Sequence, residues 1–291
     1  MLLAVNVGNT NIVFGVFDGD ELRWSWRIST QPTRTADELG VVLAGLLDQA
    51  GLSFTTKITG VAISSVVPPS TTAFREMVET YFSFPALVVE PGVRTGVPIL
   101  TDNPREVGSD RIVNALAAYE RHGGPCIVVD FGTATTYDVV SAAGEFLGGV
   151  IAPGVATSNA ALARSTARLP QVELQAPRHA LGKNTVEAIQ SALVFGTAAQ
   201  VDGIIARLRE EVGGTATTVA TGGLAPLVVP HCRTVDVTDP DLTRNTVDTE
   251  GAQFSDAAIV TDEIPPSIPC QQSVRCHVAR LRVVLEVHPS A

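Results

Sequence analysis

The chain is 291 residues long, 45% apolar, and carries 20 Lys+Arg against 30 Asp+Glu, a net charge of −10. That is enough apolar material for one large or two ordinary buried cores, and it excludes a chain that is disordered in bulk. An acidic balance disfavours nucleic acid or an anionic membrane as the main partner, while four cysteines are too few for a disulfide scaffold and suit a reducing compartment.

Leu2–Val7 is a short apolar run that predicts a buried strand. It lacks the basic flank and length of a signal peptide, and no apolar run reaches the ~18 residues of a membrane span, so a cytoplasmic protein is expected. After Gly8-Asn9-Thr10, Asn11–Phe17 predicts a second strand. Leu22–Ile28 alternates apolar and polar residues as a half-exposed third. Thr35-Ala36-Asp37-Glu38 has the capping-box pattern and opens a helix that Gly51 closes. Val61–Val67 predicts a strand stopped by Pro68-Pro69, Thr71–Phe82 a helix and Ala86–Val89 a strand, giving βββαβαβ.

Ile112, Ala115, Leu116 and Tyr119 are spaced for a helix over Ser109–Arg121. Beyond Gly123-Gly124-Pro125, strands are expected at Cys126–Asp130, Thr135–Val140 and Phe146–Ile151. Helices are expected at Val155–Ser165 and Thr185–Glu211. A strand ends at Val219, and Thr221-Gly222-Gly223 leads into a short helix. From Arg244 to Ala291 the only glycine is Gly251, although the chain has 25. This stretch is expected to be an appended tail, disordered or loosely packed, with one short strand at Leu281–Val287.

Asn6-Val7-Gly8-Asn9-Thr10-Asn11 and Asp130-Phe131-Gly132-Thr133-Ala134-Thr135 share an order: strand, Asx, apolar, Gly, small polar residue, second strand. Their offset of 124 residues suggests a duplicated α/β domain. A glycine bend of this kind exposes backbone N–H groups that can cradle phosphate oxygens. Thr10, Thr133 and Thr135 add hydroxyls, and a carboxylate at the strand end can hold a cation against the same phosphates. Either bend alone is explained as well by an ordinary hairpin turn; the pair, facing each other, would grip a nucleotide.

Asp110-Arg111 opens a helix. Its carboxylate could take a proton from a substrate hydroxyl and its guanidinium could pair with a substrate carboxylate. Helix capping and a surface ion pair explain the same two residues. His122, His179, His231, His277 and His288 are scattered, Cys270, Cys276 and His277 lack zinc-ligand spacing, and neither a Walker A sequence nor G-x-S-x-G occurs.

Together these motifs resemble the type III pantothenate kinases, of the acetate and sugar kinase/Hsp70/actin superfamily, over about residues 1–243. Asn6-Val7-Gly8-Asn9-Thr10-Asn11-Ile12-Val13 is similar to the family's first phosphate motif. Gly108-Ser109-Asp110-Arg111 is similar to its Gly-Ala-Asp-Arg substrate motif, and Asp130-Phe131-Gly132-Thr133-Ala134-Thr135-Thr136 to its second phosphate motif. Gly148-Gly149-Val150-Ile151-Ala152-Pro153-Gly154, Gly182-Lys183-Asn184-Thr185 and Thr221-Gly222-Gly223 also fit. The resemblance implies two duplicated actin-like (ribonuclease H-like) domains, expected at 1–115 and 116–243, with mixed sheets that begin in ββ hairpins.

It further implies ATP-dependent phosphorylation of pantothenate, the first step of coenzyme A synthesis. Asp110 would be the general base. Gly108, Ser109, Asp110, Arg111 and Thr185 would hold pantothenate, while Asn6, Val7, Gly8, Asn9, Thr10, Asn11, Ile12, Val13 and Thr133 would bind ATP. Asp130 would bind the monovalent cation, K⁺ or NH₄⁺, and Mg²⁺ would accompany ATP. Such kinases are homodimers with the substrate pocket at the subunit interface.

This chain departs from the family pattern twice. Asn6 stands where the first motif begins with Asp, and residues from Arg244 onward do not resemble the family's short final helix. Two other readings share the scaffold. One is a low-activity or non-catalytic regulatory homologue, to which Asn6 lends weight. The other is a superfamily kinase for another substrate such as a sugar, against which Gly108-Ser109-Asp110-Arg111 and Gly182-Lys183-Asn184-Thr185 argue.

Overall fold

The computed structural model describes residues 1–19, 21–55, 57–82, 84–89, 97–240 and 242. The expected tail at 244–291 and its strand at Leu281–Val287 lie outside the described residues. By contact, the described chain forms two compact units: residues 1–89 with 108–110, and residues 97–107 with 111–242.

The first unit runs β1 (Leu2–Val7), β2 (Asn11–Asp18), β3 (Glu21–Ser29), α1 (Ala36–Gln49), β4 (Gly60–Ser65), α2 (Pro68–Tyr81) and β5 (Leu87–Val89). The sheet order is β3-β2-β1-β4-β5, with β1 antiparallel to β2 and parallel to β4. Central β1 is buried on both faces, which is why it reads as a continuous apolar run. Leu3, Val5 and Val7 pack with Leu39, Leu43 and Leu47 of α1 and Phe74, Met77 and Val78 of α2; Leu2 and Ala4 pack with Phe17 and Ala62 in a separate cluster. Edge strand β3 alternates exposed and half-buried residues, as its pattern predicts. Thr35 caps α1 with both capping-box bonds formed, a motif worth about 1 kcal/mol. Gly51 leaves the helix at φ +66°.

Pro68-Pro69 does more than stop a strand. β4 ends at Ser65, and the prolines occupy the first turn of α2, where a missing N–H costs nothing and φ is already helical. The helix therefore starts before Thr71.

The second unit repeats the design. α3 (Ser109–His122) leads to β6 (Cys126–Phe131), β7 (Ala134–Val140), β8 (Phe146–Pro153), α4 (Val155–Ser165), α5 (Thr185–Ser191), α6 (Thr197–Glu211), β9 (Thr217–Thr221), α7 (Ala225–Val228) and β10 (Val237–Thr238). The order β10-β9-β6-β7-β8 mirrors the first sheet position for position, with β6 antiparallel to β7 and parallel to β9. Both sheets are thus mixed, begin in a ββ hairpin and carry helices. This is the expected duplicated α/β architecture.

Thr185–Glu211 is not one uniform helix. A π-helical segment, Ala192–Gly196, separates α5 from α6. The stretch is long and apolar enough to cross a membrane by length and composition. Its apolar residues Ile189, Leu193, Ala198, Val201 and Ile205 instead belong to the buried core beneath β6 and β7, so its hydropathy is that of a core helix.

Candidate functional site

Asn6 is the penultimate residue of β1 and pairs in register with Ser64 of β4, and Val7, the last, pairs with Ser65. The chain then bends through Gly8, Asn9, Thr10 and Asn11, the last three exposed. The Gly8 N–H donates to the Asn11 carbonyl at 2.9 Å, and the Thr30 hydroxyl donates to the Gly8 carbonyl at 2.6 Å. The bend is thus fixed by Thr30, the residue that follows β3. Val7 and Ile12 are buried, so those positions of the motif can offer only backbone. The Oδ1 of Asn6 is buried and has no hydrogen-bond partner among the described residues. An acceptor in that condition is costly unless something outside the protein meets it.

Ser65 ties this bend to the candidate base. The buried Ser109 hydroxyl donates to the Ser65 carbonyl at 3.0 Å, and accepts from the Ser64 hydroxyl at 3.0 Å and the Ser65 N–H at 3.1 Å. Its side chain is therefore spent inside the first unit, on the strand that also pairs with Asn6. Asp110 follows it in the first turn of α3. A Cβ at Gly108 would lie 2.6 Å from Asp110 Oδ1, so glycine there gives the carboxylate its room. Ser64 and Ser65 were not singled out from sequence; the signal available was a pair of hydroxyls ending an otherwise apolar strand.

In the second unit, the equivalent bend closes one residue sooner. Phe131 pairs with Thr135 where Val7 pairs with Ile12. Thr133 is exposed at its tip. Its carbonyl accepts from the Gly154 N–H at 3.1 Å and from the Thr157 hydroxyl at 2.7 Å, which ties the bend to the start of α4. Thr135 is instead buried, with its hydroxyl unpartnered among the described residues, so it does not stand beside Thr133 at the tip. Asp130 occupies the place of Asn6, and its Oδ2 accepts from Asn114 Nδ2 at 3.1 Å.

Gly222 follows β9 at φ +95°, and a Cβ there would lie 2.4 Å from Asp130 Oδ1 and 2.6 Å from the Phe131 N–H nitrogen. Gly222→Ala should destabilise the protein by about 2–4 kcal/mol through the left-handed backbone and the clash. That corresponds to a Tm lower by roughly 5–10 °C in a thermal melt; a Tm within ~2 °C of wild type would contradict this account of the turn.

Arg111, also in the second unit, is held by Asp138 of β7, with Nε 2.7 Å from Oδ1. Thr185 is exposed in the first turn of α5, behind the N-cap Asn184, whose Oδ1 accepts from the Glu187 N–H at 2.9 Å. The described cysteines do not offer a nucleophile. Cys126 and Cys232 are free thiols, each pushed up to about 12 by burial, with the Asp202 carboxylate adding to the effect at Cys232. Among the described residues no cluster of three His, Cys, Asp or Glu side chains is arranged for a metal.

Each unit thus carries a glycine bend with exposed residues at its tip; the first unit also holds a carboxylate at a helix start, Asp110, and the second a carboxylate near a strand end, Asp130. The model of one protein family, described as type III pantothenate kinase, matches residues 2–207. The chain belongs to the type III pantothenate kinase family.

It is 56% identical over 244 residues to the type III pantothenate kinase of Acidothermus cellulolyticus, covering 84% of this chain and 94% of that one. Identity to the type III pantothenate kinase of Frankia alni is 55% over 244 residues, covering 84% and 95%. Two solved structures share the fold at low identity. The ethanolamine utilization protein EutJ from Carboxydothermus hydrogenoformans matches with TM-score 0.52 and 16% identity, over 84% of this chain and 87% of that one. The activator of the 2-hydroxyisocaproyl-CoA dehydratase from Clostridium difficile, solved with ADPNP bound, matches with TM-score 0.50 and 12% identity, over 85% and 92%. As a type III pantothenate kinase family member, the chain is a phosphotransferase.

Proposed function

We propose that this chain transfers the γ-phosphoryl group of ATP to the primary hydroxyl of pantothenate, the first step of coenzyme A synthesis. The observation that carries the reading is the bond set from Ser109 to Ser64 and Ser65. It fixes Asp110 within the same unit as the Asn6–Val13 bend, on the strand that pairs with Asn6. A base and a phosphate cradle built on one rigid element are what phosphoryl transfer asks of a protein.

In this reading the exposed Asn9 and Thr10 and the exposed Thr133 bind phosphate oxygens, and Gly8 shapes the bend, its N–H donating to the Asn11 carbonyl. Gly108, Arg111 and Thr185 orient pantothenate. Ser109 contributes by holding the helix start, because its hydroxyl faces inward. Asp110 accepts the proton as the substrate oxygen forms its bond to the γ-phosphorus. The bond from that phosphorus to the β,γ-bridging oxygen breaks, and ADP leaves with the electron pair. The proton on Asp110 is then lost to solvent.

The orphaned Oδ1 of Asn6 suits a water or ligand of Mg²⁺, and the Asp130 carboxylate suits K⁺ or NH₄⁺. With no dedicated cluster of side chains for a divalent ion among the described residues, ATP itself would carry most of the Mg²⁺ ligation. When bound, these cations neutralise charge that builds on the phosphates. We further propose a homodimer acting in the cytoplasm, on the strength of the family resemblance; light scattering on the purified chain checks the dimer.

ADP release coupled to NADH oxidation tests the function. Release is expected only with pantothenate present, and faster with K⁺ or NH₄⁺ than with Na⁺. Equal release without pantothenate would refute the assignment.

A further inference from the structure

Asp138 is a charged residue in an otherwise uncharged strand, Ala134–Val140, and it is fully buried. A carboxylate in that position must be matched, and Arg111 matches it. Nε and Nη2 approach the same Oδ1 at 2.7 and 2.5 Å, and the Thr136 hydroxyl donates to Oδ2 at 3.3 Å. Burying such a pair gains little stability over an apolar pair of the same size, because desolvation offsets the attraction. Stability alone therefore does not account for it.

The surroundings are shaped to the guanidinium. Its Cζ lies 5.4 Å from the centre of the Phe146 ring, a cation–π distance. Gly149, the register partner of Asp138 on β8, leaves the space beside it: a Cβ there would lie 2.9 Å from Nη2 and 1.9 Å from the Tyr137 carbonyl oxygen. A carboxylate, an aromatic face and a missing side chain thus fix one long, flexible cation in one pose. The Arg111 side chain is still 16% exposed.

We propose that Asp138, with Phe146 and Gly149, forms a seat that positions the Arg111 guanidinium to receive the carboxylate of pantothenate, so that Asp138 is a specificity-determining positioning residue. This rests on the kinase reading above and adds what aims Arg111. Asp138 touches no substrate; its effect passes through Arg111. The planar fork of Arg111 makes a directional pair with a carboxylate, and a misplacement of about 1 Å can cost up to about 10²-fold.

The test compares pantothenate with its alcohol analogue, in which CH₂OH replaces the carboxylate and the phosphorylated hydroxyl is unchanged. Asp138→Ala is expected to raise KM for pantothenate about tenfold or more, with KM for ATP unchanged and KM for the alcohol moved less than about threefold. Asp138→Asn keeps an acceptor for Nε and should restore pantothenate KM to within about threefold of wild type. Should Asp138→Ala fail to fold, Phe146→Leu keeps the apolar volume without the ring face and should give the same carboxylate-selective loss. An equal loss on both substrates, a loss confined to kcat or to ATP, or no loss would overturn the assignment. A wild-type enzyme that phosphorylates neither substrate would overturn the kinase reading itself, and the seat with it.

Discussion

Asp110→Asn is expected to lower kcat by roughly 10²–10⁴-fold, the usual contribution of a general base, with KM for pantothenate and ATP within about threefold of wild type. Asparagine keeps the size of the side chain and the space that Gly108 leaves for it, but it cannot take the hydroxyl proton. The Ser109 bonds to Ser64 and Ser65 do not involve the carboxylate, so the start of α3 should stay in place and the melting temperature should barely move. Steady-state kinetics with a thermal melt of the same preparation separates the two effects. A variant with kcat within about threefold of wild type would remove Asp110 from the chemistry; one with low kcat and a much lower Tm would show that the loss is structural.

Asn6→Asp is expected to act in the opposite direction, raising kcat by roughly 10²–10³-fold, the scale of a single preorganised electrostatic contact. The present Oδ1 is buried and unpartnered among the described residues. It has the shape to face a cation's ligand sphere but no charge to offer. A carboxylate there would supply that charge beside Mg²⁺–ATP. The same change should weaken the protein without nucleotide, because a partly buried carboxylate without a partner is costly. The variant should therefore melt lower than wild type alone and gain more from Mg²⁺–ATP. An unchanged rate, with melting unchanged in both conditions, would mean that position 6 does not face the metal–nucleotide complex.

The elements legible from sequence were those whose signals are local. β1 shows as an unbroken apolar run because it is buried on both faces, and α1 is announced by Thr35 and Glu38, which bond each other across three residues. The duplicated bends were visible because glycine and an Asx residue recur at the same place on equivalent strands, and the mirrored sheet orders bear that out. Pro68-Pro69 was half legible: proline ends a strand and begins a helix, and only the first of these was read. β10 is two residues long and exists only as a partner of β9, so no periodicity could reveal it. The π segment hides because one widened turn hardly alters a helical pattern.

Within the site, the residue types were readable and their partners were not. Asp110 and Arg111 are neighbours in sequence, yet one is anchored through Ser109 to β4 and the other is gripped by Asp138, 27 positions further on. Those links join residues far apart in the chain, and they depend on strand register. A single acid inside an otherwise uncharged strand was the available hint for Asp138, since a buried charge requires a partner. Ser109 illustrates the converse: its place in the substrate motif suggests a ligand, and its burial makes it an anchor.

The chemical identity of the product decides whether this chain phosphorylates the primary hydroxyl of pantothenate. The purified chain is incubated with pantothenate, ATP, Mg²⁺ and K⁺, and the mixture is followed by ³¹P NMR with proton correlation. A new phosphomonoester coupled to the protons of the primary hydroxyl carbon, formed in step with ADP, is the predicted result. Phosphate released as inorganic phosphate, an ester on the secondary hydroxyl, or no turnover at all would contradict it.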